Sequence, residues 1–241
     1  MAGLVPAISV FYAGINRPRT ETGEANMLTI YGVYRSRASR NYWLAGELGI
    51  PFKAEPVIQA YRLKDPSAAD APPHTRTAAF LKVNPNGHIP SMDDDGVKLH
   101  ESLAINLYLA KKHGGSLAPA NLAEDGQMTM WSLWAANELE VNALKAMANI
   151  TGKLRDPKLA QEAIDALRAP FAVLDQALAA TGFLVGGRFT VADINVAEVV
   201  RYAMAAPELF EAAPHVKTWL EACHGRPAFK AMMATREQEP A

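Results

Sequence analysis

Asn84-Pro85-Asn86-Gly87-His88-Ile89-Pro90-Ser91-Met92, running on through Asp93-Asp94-Asp95-Gly96 to Leu99-His100-Glu101-Ser102, decides the fold. Asn-Pro and Asn-Gly are turn-forming pairs, so the stretch opens as a loop. Ile89 to Met92 reads as a short extended segment entered through a proline. Asp95-Gly96 marks a tight hairpin between two strands. The second strand leads directly into Glu101-Ser102 and an apolar helix beginning Leu103-Ala104-Ile105-Asn106-Leu107-Tyr108-Leu109.

Proline at position 90 offers no N–H to a sheet, which leaves one backbone edge unpaired. An X-Pro bond in a tight turn is also where a cis peptide is tolerated. With Ile89-Pro90 cis, the Ile89 N–H and C=O would face solvent and could pair with an extended peptide. Ser102 sits where the free N–H groups of a helix attract a carboxylate. Glu101 beside it can accept an ammonium. Both residues could instead merely cap the helix, but the proline and hairpin in front favour a ligand with a peptide backbone and an amino-acid head group.

Upstream, Leu28-Thr29-Ile30-Tyr31 reads as a strand ending at Gly32. A helix over Tyr42–Leu48 closes at Gly49, and a second strand spans Phe52–Ile58. Strand, helix, strand is a βαβ start with a parallel pair. Gln59 to His74 is a long loop, and Thr77 to Val83 a short helix with Phe80 and Leu81 packed inward. Residues 1–26 have no basic region ahead of their mildly apolar part, so they read as an extended tail or a misassigned start rather than a signal peptide.

Downstream, the helix after Ser102 stops at His113-Gly114-Gly115, and no sizeable strand follows. Gln127 to Ile150 reads as helical throughout, with Met128, Trp131, Leu133, Trp134, Leu139 and Leu144 as candidate buried positions. Another helix runs from Pro157 to Ala180, opened by Asp156-Pro157 and kinked at Pro170. In Thr190-Val191-Ala192-Asp193, Thr190 and Asp193 form a capping box with Phe189 as a staple.

Composition is that of an ordinary globular protein: 241 residues, 49% hydrophobic, 20% charged, formal net charge −1. That charge gives no support for a nucleic-acid or acidic-membrane partner. The single cysteine, Cys223, excludes an intrachain disulfide and a CxxC redox pair, and suits a reducing compartment. The six histidines lack ligand spacing, so no metal is expected.

Asn84 to Pro90, Glu101-Ser102-Leu103-Ala104-Ile105 and Gly187-Arg188-Phe189-Thr190-Val191-Ala192-Asp193 occur in the order found in glutathione transferases. The chain resembles that family, of the bacterial cytosolic type, over about Met27 to Phe229. The resemblance implies an α/β thioredoxin-like N-terminal domain over residues 27–113, a linker over 114–121, and an all-α C-terminal helical bundle domain over 122–241. Thr190-Val191-Ala192-Asp193, behind Gly186-Gly187-Arg188, then matches the N-capping motif of the family's sixth helix.

The resemblance also assigns roles. Glutathione is the substrate, held by Arg37, His88, Ile89, Pro90, Glu101 and Ser102. Its thiol is activated by a hydroxyl, either Ser36 ahead of the first helix or Tyr31 at the end of the first strand. Ser36 is placed first, although serine-type members usually carry Ser-Pro one residue earlier, where this chain has Arg35. The implied activity is conjugation of the thiolate to a small apolar electrophile by a cytoplasmic homodimer. Glutathione-dependent reduction of disulfides or peroxides, and a binding or scaffold protein that has lost activity, are the alternatives.

Overall fold

The computed structural model describes residues 27–239, so the expectation for residues 1–26 lies outside the described residues. Four short strands, β1 (Thr29–Tyr31), β2 (Lys53–Glu55), β3 (Ser91–Asp94) and β4 (Val97–His100), form one sheet in the order β2-β1-β3-β4. β1 and β2 are parallel, and the other two pairings are antiparallel. The hairpin closes at Asp95 and Gly96, with φ of 53° and 83°. Positive φ at both residues suits the right-handed twist of the flanking strands.

Helices α1 (Ser39–Leu48) and α3 (Ser102–His113) join Ile30 and Met92 in the main core, while α2 (Ala78–Leu81) lies on the Tyr31 side. Gly49 ends α1 in the left-handed conformation, its N–H shared between the Ala45 and Gly46 carbonyls. β2 is shorter than the sequence suggests: Pro56 withholds the next ladder N–H, and Ile58 makes only an isolated parallel bridge to His74. Phe80 is buried as expected, but Leu81 is 38% exposed.

Beyond α3 the main elements are helices: α4 (Leu122–Trp134), α5 (Glu140–Ile150), α6 (Pro157–Leu178), α7 (Val191–Val200), α8 (Pro207–Glu211), α9 (Pro214–His224) and α10 (Pro227–Gln238), with an isolated Val185–Arg188 bridge in the connection ahead of α7. This is a thioredoxin-like domain followed by a helical one. Asn121 caps α4 by accepting the Glu124 N–H at 3.0 Å, which starts the helix five residues before Gln127. A π turn over Ala135–Leu139 joins α4 to α5. Leu133 is exposed, not buried. α6 runs through Pro170 without interruption, with Leu167, Phe171 and Leu174 buried on either side of the missing hydrogen bond.

Every residue of α7 is buried, and one apolar core runs from β1 and α1 through α7 to α9 and α10. A helix enclosed on all sides must satisfy each polar group internally. The Thr190–Asp193 capping box is present. Phe189 packs against Trp43 of α1, ring centroids 6.2 Å apart, with the Arg226 guanidinium 3.8 Å over its face.

Candidate active site

A cleft of about 1310 Å³ separates the loop-hairpin and α3 start from α4 and α5. Arg37, His88, Ile89, Pro90, Glu101 and Ser102 all line it. Asn84, which the sequence reading left without a role of its own, organises the loop. Its buried amide donates to the His88 carbonyl at 2.8 Å and to Ser91 Oγ at 3.1 Å, while its oxygen accepts the Asn86 N–H at 3.0 Å.

The Ile89-Pro90 peptide is cis. Among the described residues neither the Ile89 N–H nor its C=O has a hydrogen-bond partner. Gly32 lets this loop approach: a Cβ there, at φ 147°, would lie 2.9 Å from Ala38 Cβ and 3.5 Å from Ile89 Cβ. The turn ahead of α1 and the Ile89 loop are thereby brought together across the end of β1.

Glu101 precedes α3 at φ 69°, ψ 105°, a conformation that costs a non-glycine residue free energy. Its side chain, 80% exposed, makes no capping hydrogen bond to α3, and its ionic neighbour is His100 Nδ1 at 3.7 Å. Capping therefore does not account for it. Ser102 Oγ accepts a hydrogen bond from Arg40 Nη1 at 3.0 Å. Arg40 is buried and pairs through Nη2 with Glu140 Oε1 at 2.9 Å, and Arg37 Nε reaches the same oxygen. Burial raises the Glu140 pKa, but the two guanidiniums outweigh it and hold the carboxyl below its usual range. The two α/β-side arginines are thus tied to the first residue of α5, immediately after the π turn.

Ser36 and Tyr31 do not line the cleft. The Ser36 hydroxyl donates to the Val33 carbonyl at 2.7 Å and accepts the Ala38 N–H at 3.1 Å, which folds the turn into α1. Tyr31 faces Phe80, ring centroids 6.2 Å apart, on the sheet side away from α1. Burial, then Asp93 and Glu55, push its phenol pKa up. Arg35 turns from the cleft to donate to the Glu239 and Glu237 carbonyls.

Sequence reasoning missed Glu140, because a helical glutamate 100 positions from its partner carries no local signal. It also missed a buried amide chain. Asn41 Nδ2 donates to Asn106 Oδ1 at 2.7 Å, Asn106 Nδ2 to Asn195 Oδ1 at 2.8 Å, and Asn195 Nδ2 to Ser132 Oγ at 2.9 Å. The chain links α1 and α3 to α7 and α4 behind the cleft. Among the described residues no cluster of three or more His, Cys, Asp or Glu could hold a metal ion. Cys223 is buried, and burial pushes its thiol pKa well up.

Family models for the glutathione S-transferase N-terminal and C-terminal domains match residues 35–112 and 157–222. Glutathione S-transferase 3 of Zea mays is 32% identical over 166 residues, covering 64% of this chain and 74% of that protein. The chain belongs to the glutathione S-transferase family. It is a glutathione transferase with a thioredoxin-like domain and a helical domain. The structure of glutathione S-transferase III in apo form superposes with a TM-score of 0.71 at 30% identity, over 89% of this chain and 99% of that one. The family likeness extends to a probable elongation factor 1-gamma 2 of Arabidopsis thaliana, 31% identical over 171 residues, 69% of this chain but 41% of that protein.

Proposed function

We propose that this glutathione transferase binds glutathione along the Ile89 loop and adds its thiolate to a small apolar electrophile. The observation that carries the reading is the unpaired Ile89 backbone in the same cleft as Glu101 and Ser102. On this reading Ile89 pairs with the cysteinyl backbone beside Pro90. Glu101 takes the γ-glutamyl ammonium, and Ser102 with the α3 N-terminus takes its carboxylate. His88 and Arg37 serve the remaining carboxylate charge. The Ser36 hydroxyl leaves the Val33 carbonyl and donates to the sulfur, which lowers the thiol pKa. Tyr31 is set second because its ring lies across the sheet from α1. The thiolate then forms a C–S bond as the leaving group departs with its electron pair.

Leu103, Leu107, Leu133 and Ala136 on the cleft walls support an apolar second substrate. Exposed Met130 and Val141, on α4 and α5 outside the cleft lining, support a second copy of the chain as partner. A cytoplasmic setting is supported by the single cysteine, and no described helix is long and apolar enough to cross a membrane.

Turnover of an aryl halide with glutathione tests the reaction. Ser36→Ala should lower kcat/KM about tenfold to a hundredfold, and Tyr31→Phe less than about threefold. Faster turnover of a disulfide than of the halide would shift the assignment to reduction. Folded protein inert on both would favour a binding module, the reading to which the elongation-factor likeness points.

A further inference from the structure

Tyr34 and Arg35, the two residues ahead of Ser36, draw their hydrogen-bond partners from the far end of α10. One carboxylate serves both backbone donors: the Tyr34 N–H donates to Glu239 Oε1 and the Arg35 N–H to Glu239 Oε2, each at 2.8 Å. Arg35 Nε donates to the Glu239 carbonyl at 2.8 Å, and the Arg236 guanidinium donates to the Tyr34 carbonyl. Successive N–H groups converging on one anion form a nest. Among the described residues these two N–H groups have no other partner.

The tether is anchored. Arg226, just ahead of α10, holds Glu47 of α1 through two contacts of 2.7 Å, and Phe229 packs edge-on against Trp43 at 4.9 Å. α10 is thus fixed along α1 before its end reaches back to the turn that leads into the same helix.

We propose that Glu239 is a positioning residue for thiol activation. By gripping both N–H groups it fixes the turn over residues 34–38, and so the place of the Ser36 hydroxyl. The inference rests on the reading of Ser36 as the thiol's hydrogen-bond donor. Charge-assisted bonds of this kind are strong and directional, and small displacements of a positioned group cost rate. A purely electrostatic role would act with the opposite sign: a carboxylate near a thiolate disfavours it, so its removal would lower the thiol pKa.

The test is Glu239→Gln in the full chain, followed by thiolate absorbance of bound glutathione against pH, steady-state kinetics with an aryl halide, and thermal unfolding. The expected result is a raised thiol pKa and a kcat/KM lower by about threefold to tenfold, with the KM for glutathione within about twofold. Glu239→Asp should restore part of the loss. In a Ser36→Ala background, Glu239→Gln should add nothing further. An unmoved or lowered thiol pKa, or a change confined to unfolding, would overturn the proposal. Ser36→Ala with an unmoved thiol pKa would sink the Ser36 reading by itself. A normal Ser36→Ala effect beside a silent Glu239→Gln would sink only the positioning role.

Discussion

Ser102 Oγ and Arg40 Nη1 lie 3.0 Å apart, so the hydroxyl at the mouth of α3 is held by a guanidinium buried in the protein. Arg40 in turn depends on Glu140, since its Nε is buried without a partner. The cleft wall is therefore set by an ion pair reaching from α1 to α5, and not by local sequence.

Glu140→Ala removes the only carboxylate hydrogen-bonded to that guanidinium among the described residues, leaving it buried with Ser102, the Tyr202 ring and the more distant charge of Glu198. We expect a loss of about 3–5 kcal/mol in unfolding free energy by urea titration, together with weaker glutathione binding. Glu140→Gln should cost less, because it still accepts a hydrogen bond. A loss under about 1 kcal/mol for the alanine variant would mean that water reaches Arg40 and that the pair does not order the wall.

Asp193 holds more than its own helix. Its carboxylate accepts the Thr190 N–H at 2.8 Å, the Leu184 N–H at 3.2 Å and Trp219 Nε1 at 2.9 Å. Asp193→Ala strands several buried donors, so the cost should be about 3 kcal/mol, beyond the ~1 kcal/mol of an ordinary cap. Chemical denaturation checks it; a cost near that of a simple cap would show that the Trp219 and Leu184 bonds add nothing.

The legible part of the fold is the part written in local chemistry. Asp95-Gly96 demands its turn, Gly49 its helix end, Asp156-Pro157 and Thr190–Asp193 their helix starts, and each stands where the residues suggest. Local rules also explain why β2 stops at Glu55, since Pro56 has no N–H to give the ladder. Long-range polar contacts left no such mark. Asn41, Asn106 and Asn195 are residue types normally found outside, and only their mutual hydrogen bonds across three helices make them core. His88, Ile89, Pro90, Glu101 and Ser102 share the cleft because they fall in two short motifs, whereas Arg37 reaches it from the turn ahead of α1. Ser36 lies in the turn ahead of α1, where its hydroxyl is engaged by the Val33 carbonyl.

His224 should make the fold acid-sensitive. Burial lowers its pKa from 6.5 to about 4, and its Nε2 is buried without a partner while the ring stacks on Phe229 at 4.1 Å. The folded state thus disfavours the imidazolium that the unfolded chain readily forms. The contribution is complete above about pH 6.5 and is lost as pH falls toward 4, amounting to about 1–3 kcal/mol. Unfolding of His224→Leu and the parent across that window measures it. The stability gap should shift in favour of the leucine variant as pH falls; a gap independent of pH would contradict the assignment.

The most direct measurement is a calorimetric titration of glutathione into the parent protein and into Ser102→Ala, with thermal unfolding as a control. The account predicts a one-to-one heat of binding per chain in the micromolar to low-millimolar range, weakened about fivefold to twentyfold by the substitution while the fold survives. Well-folded parent protein that takes up no glutathione, or Ser102→Ala that binds it equally well, would contradict the placement of the substrate across Ile89 and the α3 N-terminus.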